Sequence, residues 1–397
     1  MYDAAKLKNA ILFNTVETLP SGPDLDLEIT RLVELANSSE QSIRHYIGFE
    51  ISGLIHIGTG IACALKIKTL QDSGVECSIF LANYHAWLNN KLDGTFDTIE
   101  KVAREYFAPV MRMSLIVVGA NPDKVNFVFA KDLYEEKHNE LSFFDWDIRV
   151  SKHLTLNRVL KSMSIMGKTS GDSVEFASLR YPPMQVTDAY FMQTHLVHAG
   201  LDQRKVHVLM REIALVVDEE IALKLNDKRI KPIAIHHALL LGMSAPKTDG
   251  TTTKMNPIEM EDGKMSKSRP DSAIWVHDNL EEITRKLKKA YCPMPKSEQS
   301  REEIVAEQTW NPLLNWCKLI VFPAGKTLLV ERVEEWGGNV EYTTYTELEE
   351  AYFNGKLHPV DFKLSLAQTL ANWFAPMYYW AIEHEEAVNL VINSRKK

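Results

Sequence analysis

A run of lysines and serines in the second half of the chain has the residue types needed to bind a triphosphate. Residues 263–268 read GKMSKS. The ammonium groups of Lys264 and Lys267 stand beside two serine hydroxyls, and such donors can stabilise charge that shifts along a triphosphate during reaction. Lysine and serine runs are also common in solvated loops. The segment by itself leaves a nucleotide site and an exposed loop equally open.

A second segment, earlier in the chain, supplies groups that complement these lysines. Residues 53–59 read GLIHIGT. His56 can donate a hydrogen bond to a phosphate, Thr59 adds a hydroxyl donor, and Gly58 has no side chain, so an ATP ring can lie against the backbone. A single histidine is more often a packed or capping residue than a catalytic one. Both segments together, in this order within a pattern of alternating strands and helices, predict an ATP site.

A third cluster of polar residues indicates a pocket for a substrate that carries a hydroxyl. Tyr181, Gln185 and Asp188 have the spacing i, i+4 and i+7, so they share one face of a helix. Tyr46 lies on the first predicted strand, where a Rossmann-like sheet opens into its crevice. A phenol and a carboxylate could both bind a substrate hydroxyl, and a buried carboxylate is costly without such a partner. Gln203 offers a further amide. The spacing alone also fits an ordinary amphipathic helix.

The elements that position these groups follow from the hydrophobic periodicity. The run HYIGFEI (45–51) predicts a strand, a break follows at Ser52–Gly53, and residues 55–74 have the apolar spacing of a helix that ends at Gly74. The HIGT segment therefore lies at a helix N-terminus. Such an end presents free N–H groups and a positive dipole to phosphate.

Strands and helices continue to alternate along the chain. The predicted strands are 76–88, 114–120 with 125–132, and 231–241, and the predicted helices are 98–115, 141–166, 181–197 and 206–225. This alternation predicts an α/β fold with a doubly wound parallel sheet. Sheets of this kind bind ligands beyond the carboxyl ends of their strands.

Three regions follow from the pattern. We predict a helical lead-in over residues 1–40, a Rossmann-like catalytic domain with the lysine loop over 41–275, and a mainly α-helical domain over 276–397 with a break at Gly337–Gly338. Residues between Gly242 and Gly263 are rich in Thr, Lys, Asp and Met with little periodicity, which predicts an exposed loop.

Charge and composition limit the classes of partner. The 397 residues are 45% hydrophobic and carry a net charge of -8, which is typical of a globular protein and argues against a general nucleic-acid coat. A nucleic acid must therefore bind to local basic patches, each of which could equally be a solvated surface. The candidates are Arg285, Lys286, Lys288 and Lys289; Arg204 and Lys205; and Arg395, Lys396 and Lys397.

Cysteine spacing and hydropathy indicate the compartment. The four cysteines form no CxxC pair, so they predict neither a zinc site nor a disulfide framework, and a reducing compartment fits. No apolar run approaches the roughly 20 residues that span a bilayer. The first residues lack the pattern of a signal peptide. We expect a soluble, cytoplasmic protein with no membrane partner.

Eight segments in a fixed order carry a resemblance to one enzyme family. They are YIGFE, the HIG turn, LANYHAWL, YPPMQVTD, GLDQRKVH, GKMSKS, KKAYCP and GKLHPVDFK. This series resembles the tyrosyl-tRNA synthetases of the archaeal and eukaryotic type, class I aminoacyl-tRNA synthetases whose two signatures are HIGH and KMSKS. The resemblance runs from about Tyr46 to about Ala375.

The resemblance implies a role for each matching residue. It implies that Tyr46 and Asp188 bind the tyrosine hydroxyl, and that Tyr181, Gln185 and Gln203 line the pocket near the amino group. The implied catalytic residues are His56, Thr59, Lys264 and Lys267, and the implied ATP-binding residues are Gly48, His56, Gly58, Lys264, Met265, Ser266 and Lys267. The implied tRNA contacts are Arg204 and Lys205, with His358, Pro359 and Asp361 at the first anticodon base.

The resemblance also implies the reaction and its partners. It implies that L-tyrosine and ATP form an adenylate, with Mg²⁺ on the phosphates and no protein metal site, and that tyrosine then passes to tRNA(Tyr). The helical domain would bind the anticodon. A homodimer and a preference for a C1:G72 first acceptor pair are implied as well. Two alternatives remain at this point: a tryptophanyl-tRNA synthetase, and a noncatalytic RNA-binding protein derived from a synthetase.

Three features depart from the family pattern, and one position is left unassigned. Thr59 replaces the second histidine of HIGH, and Asn83 replaces an acidic residue near the pocket. Residues 244–261 precede the lysine loop where relatives are much shorter. The aromatic residue that stacks on the anticodon base falls near Ile320 and Phe322, and the sequence does not decide between them.

Overall fold

The computed structural model describes residues 1–167, 175–244, 265 and 270–395. A six-stranded sheet forms its centre, in the spatial order β1-β10-β7-β2-β3-β4, and three two-stranded ribbons surround it. The strands are β1 (Thr15–Leu19), β2 (Arg44–Glu50), β3 (Glu76–Ala82), β4 (Val125–Phe129), β5 (Lys137–His138), β6 (Leu141–Ser142), β7 (Leu196–Gly200), β8 (Lys224–Leu225), β9 (Lys228–Arg229), β10 (Ile233–His237), β11 (Leu328–Val330) and β12 (Val340–Tyr342).

Helices cover the sheet and make up most of the chain after it. They are α1 (Ala4–Leu12), α2 (Gly22–Ser39), α3 (Cys63–Asp72), α4 (Asn83–Leu88), α5 (Phe96–Val102), α6 (Ala108–Val117), α7 (Ala130–Glu135), α8 (Phe143–Lys152), α9 (Leu156–Ser162), α10 (Tyr181–Phe191), α11 (Arg204–Ile213), α12 (Leu280–Lys289), α13 (Arg301–Gln308), α14 (Pro312–Trp316), α15 (Tyr345–Phe353), α16 (Pro359–Glu383) and α17 (Glu385–Asn393). Single π-helical turns precede α3, lead into α6 and follow α14.

The order of the strands confirms the predicted doubly wound sheet. Strands β10, β7, β2, β3 and β4 are parallel, and β1 pairs antiparallel with β10 at one edge. From β2 the chain builds the sheet outward through β3 and β4, whereas β7 and β10 lie on the other side of β2. The connections therefore change direction between β2 and β7. A crevice forms at such a switch point, beyond the carboxyl ends of the two strands.

Several segments differ from the prediction. Residues 83–88, predicted as the end of a strand, form α4, and the helix predicted over 141–166 is divided into β6, α8, α9 and a 3-10 turn. Residues 15–19 form an edge strand inside the predicted helical lead-in, and residues 196–200 form β7 inside a predicted helix. The predicted strand at 114–120 is instead the end of α6, because Val110, Ser114 and neighbouring side chains are buried at helical spacing. The predicted helix 206–225 ends at Ile213.

The last third of the chain is mainly helical, as predicted, and packs closely on the sheet region. The indole of Trp373 on α16 donates to the carbonyl of Val117 at 2.9 Å. The indole of Trp316 on α14 donates to the carbonyl of Leu241 at 2.8 Å. The break predicted at Gly337–Gly338 is the loop of the β11–β12 ribbon. Among the described residues, no helix combines the length and the apolar character needed to cross a membrane.

Lys66 on α3 joins the N-terminal helix to the catalytic region. Its side chain is buried, and its ammonium donates to the last carbonyls of α1 and to one hydroxyl. Four acceptors lie within hydrogen-bond distance of its three N–H groups: the carbonyl oxygens of Ala10 at 2.7 Å, Ile11 at 2.6 Å and Phe13 at 2.6 Å, and Thr15 Oγ1 at 2.9 Å. Burial lowers the pKa of Lys66 to about 7, while the negative end of the α1 dipole favours the ammonium. The buried amino group of Lys66 thus caps the C-terminal end of α1.

A Lys66→Met variant is expected to lose about 3 kcal/mol of unfolding free energy, because several buried carbonyls lose their donor. Urea denaturation followed by circular dichroism measures the loss. Lys68→Met is the matched control, since Lys68 pairs with Asp72 on the exposed side of the same helix. Its loss should stay below about 0.5 kcal/mol. Equal losses in both variants would contradict the capping role.

Candidate active site

A single crevice at the carboxyl ends of β2 and β7 collects most of the predicted site residues. It encloses about 790 Å³. The predicted residues that line it are Tyr46, Gly48, His56, Gly58, Thr59, Tyr181, Gln185, Asp188, Gln203 and Met265. The predicted residues Lys264, Ser266 and Lys267 lie outside the described part of the chain.

His56 closes the turn between β2 and the helix that follows. Its Nδ1 accepts hydrogen bonds from the backbone N–H groups of Gly58 at 3.1 Å and Thr59 at 3.3 Å. Because Nδ1 is an acceptor, the proton of a neutral ring is on Nε2, which lies 3.3 Å from Thr59 Oγ1. His56 is therefore a helix cap and an N–H donor in the crevice wall. Thr59, which replaces the second histidine of the signature, lies beside that donor.

Two glycines of the turn are required by close packing. A Cβ on Gly58 would lie 3.0 Å from Cε1 and Nδ1 of the His56 ring, so this glycine lets the ring fold onto its own turn. A Cβ on Gly60 would lie 2.8 Å from Cγ1 of Val276. Because Gly58 has no side chain, the His56 ring can lie against its own turn. Because Gly60 has none, the segment of Val276 can pack against the start of the helix. Gly58 also leaves the space for a nucleotide that the sequence suggests.

The segment after the lysine loop and one residue within the loop are fixed to the wall of the crevice. Ile57 N–H donates to the carbonyl of Ile274 at 3.0 Å, and Val276 N–H donates to the carbonyl of Ile55 at 3.0 Å. Within the loop, Met265 is buried and its N–H donates to the carbonyl of Leu240 at 3.2 Å. The main chain thus ties the segment after the loop to the HIG turn, and it ties Met265 to the segment that follows β10.

Asp188 forms the floor of the pocket and has one unsatisfied oxygen. The carboxyl group is 1% exposed. Tyr134 donates its hydroxyl to Oδ1 at 2.7 Å, whereas Oδ2 has no hydrogen-bond donor. Burial raises the pKa of Asp188 well above its ordinary value, and the Tyr134 hydrogen bond opposes this shift. A ligand hydroxyl that donates to Oδ2 would favour the carboxylate over the neutral acid, because it satisfies a buried acceptor and offsets part of the cost of burial.

Two residues beside Asp188 were not predicted from the sequence. His85 on α4 places Nε2 3.4 Å from Asp188 Oδ2 without hydrogen-bond alignment, and burial lowers the pKa of His85 to about 3, so the ring is neutral. Tyr134 on α7 is the second. The signal that could have found them is their place directly after β3 and β4, where a doubly wound sheet presents side chains to its crevice.

Tyr46 and a pair of amides complete the predicted tyrosine pocket. Burial raises the pKa of Tyr46, the Asp188 charge adds to the shift, and a hydrogen bond from Gln185 opposes it. Gln185 Nε2 donates to Gln203 Oε1 at 3.2 Å, and Gln203 Nε2 donates to the carbonyl of Ile165 at 3.1 Å. The buried Gln185 Oε1 has no donor. The pocket therefore holds a second unpaired acceptor, suited to an ammonium group.

Three imidazoles form a hydrogen-bonded chain from the sheet interior to the crevice. His45 Nε2 lies 3.1 Å from His198 Nδ1, and His198 Nε2 lies 2.9 Å from His237 Nδ1. His198 and His237 line the crevice, whereas His45 is wholly buried. Burial lowers the pKa of His45 to about 3 and that of His198 well below its ordinary value. These two rings are therefore neutral.

Most of the residues predicted to contact tRNA lie on the surface, but Lys286 is buried, and several of the others have partners within the chain. Arg204 pairs with Glu17 at 2.8 Å, and Lys205 donates to Ser164 Oγ at 2.7 Å. In the basic run of α12, Arg285 pairs with Asp271 and Glu282, and Lys286 is buried against Asp278. Lys288 and Lys289 are exposed. Within that run, they are the cations most available to an RNA.

The predicted anticodon residues lie at the start of α16. The exposed His358 is the N-cap, and its Nδ1 accepts from Val360 N–H at 3.2 Å. Pro359 and Asp361 occupy the first turn. Of the two candidates for the stacking residue, Ile320 is fully buried and Phe322 is partly exposed beside Tyr345. Phe322 is therefore the one whose ring a base can reach.

Asn83, which stands where the family has an acidic residue, lies inside the protein. Asn83 is buried at the start of α4, where its amide hydrogen-bonds Glu100 and its oxygen accepts from Tyr84 N–H at 2.9 Å. It does not line the crevice. All four cysteines are free thiols. The described residues contain no group of three or more His, Cys, Asp or Glu side chains arranged for a metal ion.

Comparison with known proteins places this geometry in a family. Residues 38–375 match the family described as tRNA synthetases class I (W and Y). A tyrosine–tRNA ligase of Thermococcus onnurineus is 40% identical over 358 residues, which are 88% of this chain and 89% of the relative. A tyrosine–tRNA ligase of Pyrobaculum calidifontis is 42% identical over 338 residues, 85% of this chain and 86% of the relative.

A solved structure of a tyrosyl-tRNA synthetase has a similar fold. The fold is similar to a crystal structure of a tyrosyl-tRNA synthetase from Pyrococcus horikoshii complexed with L-tyrosine, with a TM-score of 0.85 and 36% identity. The match covers 98% of this chain and 100% of that chain.

Proposed function

The chain belongs to the class I tRNA synthetases for tryptophan and tyrosine, and we propose that the crevice at the ends of β2 and β7 is where it activates its amino acid. Its activity is that of a tyrosine–tRNA ligase. ATP is the energy source of this class of enzyme. The observation that carries the assignment of the crevice is the unpaired, buried Oδ2 of Asp188.

The pocket chemistry favours tyrosine over tryptophan. In our proposal the tyrosine hydroxyl donates to Asp188 Oδ2 and contacts Tyr46, while the ammonium group donates to Gln185 Oε1. An indole has a single N–H donor and no acceptor, so it cannot replace a hydroxyl that donates to Asp188 and accepts from Tyr46, and one of these buried groups would lose its partner, at a cost of about 1–3 kcal/mol. The tryptophan alternative is therefore not favoured.

The first chemical step needs positioning and charge stabilisation rather than a protein nucleophile. A carboxylate oxygen of tyrosine attacks the α-phosphorus of ATP, and the bond to the bridging oxygen of the β-phosphate breaks, which releases pyrophosphate. His56 and Thr59, with Lys264 and Lys267, would stabilise the charge on the five-coordinate phosphorus. Gly48, Gly58, Met265 and Ser266 would complete the ATP site.

Mg²⁺ fits this site as a companion of the nucleotide. The described residues offer no cluster of three or more ligating side chains, and Mg²⁺ commonly binds through phosphate oxygens, waters and one or two carboxylates. When bound, the ion neutralises charge on the leaving pyrophosphate. The protein's own contribution is to hold the triphosphate against the HIG turn.

The second step transfers tyrosine to tRNA. The terminal ribose hydroxyl attacks the carbonyl carbon of the adenylate, and AMP leaves. We propose that Arg204 and Lys205 contact the tRNA and that His358, Pro359 and Asp361 read the first anticodon base, with Phe322 stacked on it.

The division into a lead-in (1–40), a catalytic domain (41–275) and a helical anticodon-binding domain (276–397) remains our prediction. The four free thiols fit a reducing cytoplasm.

The function is tested by amino-acid-dependent exchange between ATP and pyrophosphate in the absence of tRNA, comparing tyrosine, tryptophan and phenylalanine. We expect exchange with tyrosine and little with the other two. Charging of two tRNA(Tyr) transcripts, with C1:G72 or G1:C72, then tests the acceptor preference, and the first should be charged faster. Exchange with tryptophan would refute the pocket assignment, and no exchange would favour the noncatalytic alternative.

An apolar face on one side of the molecule supports the proposed homodimer. Its exposed side chains are Phe144, Ile148, Leu156, Leu160, Leu215 and Val216. Ion pairs of Arg149 with Asp218 at 3.1 Å and of Arg158 with Glu212 bring α8, α9 and the end of α11 together. Contiguous apolar surface of this kind is unusual on a monomer. A two-fold axis would bury it against the same face of a second copy.

A Phe144→Glu variant is expected to weaken the dimer at least about 100-fold, because Phe144 is 66% exposed in the single chain and a carboxylate would be buried in the interface. Light scattering after size exclusion measures the mass at micromolar protein. Ile382→Glu on α16 is the control, since Ile382 is also exposed, at 55%, and should leave the mass unchanged. A dimer of equal strength in both variants would refute this interface.

A further inference from the structure

A guanidinium group from the end of the described chain enters the crevice. Helix α17 packs back on α5 and on the turn that follows α5. Two residues after α17, Arg395 lines the crevice together with the HIG turn. Its Cζ lies 5.4 Å from the centre of the Trp275 ring. From the sequence, Arg395 is a candidate for a basic nucleic-acid patch, and neither signature segment predicts it in the crevice.

No anion balances this cation among the described residues. Arg395 is partly buried, and its Nη2 has no hydrogen-bond partner. Asp278 on the adjoining segment is already used, since it accepts from Lys286 Nζ at 2.6 Å and from Trp275 N–H at 2.8 Å. Burial raises the pKa of the neighbouring Tyr106, so its phenol is neutral, and its hydroxyl accepts from Ile55 N–H at 3.0 Å. A partly desolvated guanidinium without a counterion is costly.

Trp275 connects this cation to the predicted phosphate site. The rings of Trp275 and His56 have centroids 6.4 Å apart, and the two residues face each other in an antiparallel bridge. Arg395 is therefore separated from the capping histidine by one indole. The segment that carries Trp275 also follows directly on the lysine loop. A polyanion that lies along the HIG turn would meet the guanidinium at its edge.

We propose that Arg395 binds the triphosphate of ATP and supplies a cation that neither signature segment encodes. The proposal rests on the crevice being the site of tyrosine activation. A guanidinium presents N–H groups in a planar fork that matches two phosphate oxygens, and its weak hydration suits a partly buried position. Binding of ATP would give Nη2 its missing acceptor, and Trp275 would hold the fork in place through the cation–π contact.

The test compares the wild type with Arg395→Ala and Arg395→Lys in tyrosine-dependent exchange between ATP and pyrophosphate. The KM for ATP is expected to rise about tenfold in the alanine variant, the loss of one charge-assisted contact, and less in the lysine variant, which keeps a point charge. The KM for tyrosine should change less than about twofold. Asn393→Ala, an exposed substitution on the last turn of α17, is the control and should behave as the wild type.

Calorimetric titration with two nucleotides separates phosphate binding from a structural role. Arg395→Ala should bind ATP about tenfold more weakly and AMP with unchanged affinity. Equal losses for ATP and AMP, an unchanged KM for ATP, or an increase confined to the KM for tRNA would each overturn the proposal. If the wild type itself shows no tyrosine-dependent exchange, the proposed function fails, whereas normal exchange in both proteins refutes only the role of Arg395.

Discussion

An Asp188→Ala variant is expected to lose about 10- to 200-fold in kcat/KM for tyrosine, with little change for phenylalanine. In the folded chain, Asp188 Oδ2 is a buried acceptor without a donor, and the tyrosine hydroxyl would fill that vacancy. Hydrogen bonds to charged groups contribute about 1.5–3 kcal/mol, which corresponds to factors of roughly 10–200. Phenylalanine makes no such bond, so its kcat/KM should stay nearly unchanged. Exchange kinetics with both amino acids measure the ratio.

A matched control uses another buried aspartate. Asp147 on α8 is also 1% exposed, and it pairs with Arg180 outside the crevice. Asp147→Asn should lower the melting temperature, because it weakens a buried ion pair, but should leave the preference for tyrosine intact. The isosteric Asp188→Asn variant guards against a folding defect. An unchanged tyrosine preference in a folded Asp188→Ala enzyme would show that the pocket lies elsewhere.

A His56→Ala variant is expected to lose about 100- to 1000-fold in kcat for exchange, the usual effect of removing one donor that stabilises a transition state. The same substitution removes the cap of the turn, since Nδ1 of His56 accepts from Gly58 and Thr59. His56→Asn separates the two effects, because its side-chain oxygen can cap and its amide can donate. We expect this variant to recover stability fully and activity in part.

The KM for tyrosine gives an independent check on His56. The residue lies at the turn and not beside Asp188, so both His56 variants should keep the wild-type KM for tyrosine. A parallel loss in tyrosine binding would mean that the turn as a whole had moved. Retention of full kcat in His56→Ala would place phosphate stabilisation on other groups, Thr59 and the lysine loop among them.

The central sheet could be predicted because its strands and helices differ in local periodicity. Strand β2, the HIG helix and β10 were found from their apolar patterns. Strand β1 was missed because it gains its stability from pairing with β10, more than two hundred residues away, and no local pattern records such a pairing. The run 114–120 is rich in β-branched residues, which favour strands. Its first part nevertheless continues α6, because the apolar face of that helix is already packed against the core.

The site could be predicted where one segment carries several groups and not where single residues converge. Tyr181, Gln185 and Asp188 come from one helix, so their spacing revealed them. His85 and Tyr134 each reach Asp188 from a separate element, and neither stands in a pattern of its own. Lys66 was likewise invisible, because an isolated lysine on a helix normally points to solvent.

The tautomers of His45, His198 and His237 depend on one another, because the three rings form one row of hydrogen bonds. Each neutral ring has one proton, and each contact in the row needs one donor and one acceptor. If His237 Nδ1 accepts, His198 must donate from Nε2, and His45 must do the same. If His237 Nδ1 donates, both inner rings must reverse. The tautomer of His237 at the crevice therefore fixes the tautomer of His45 inside the sheet, without any movement of the backbone.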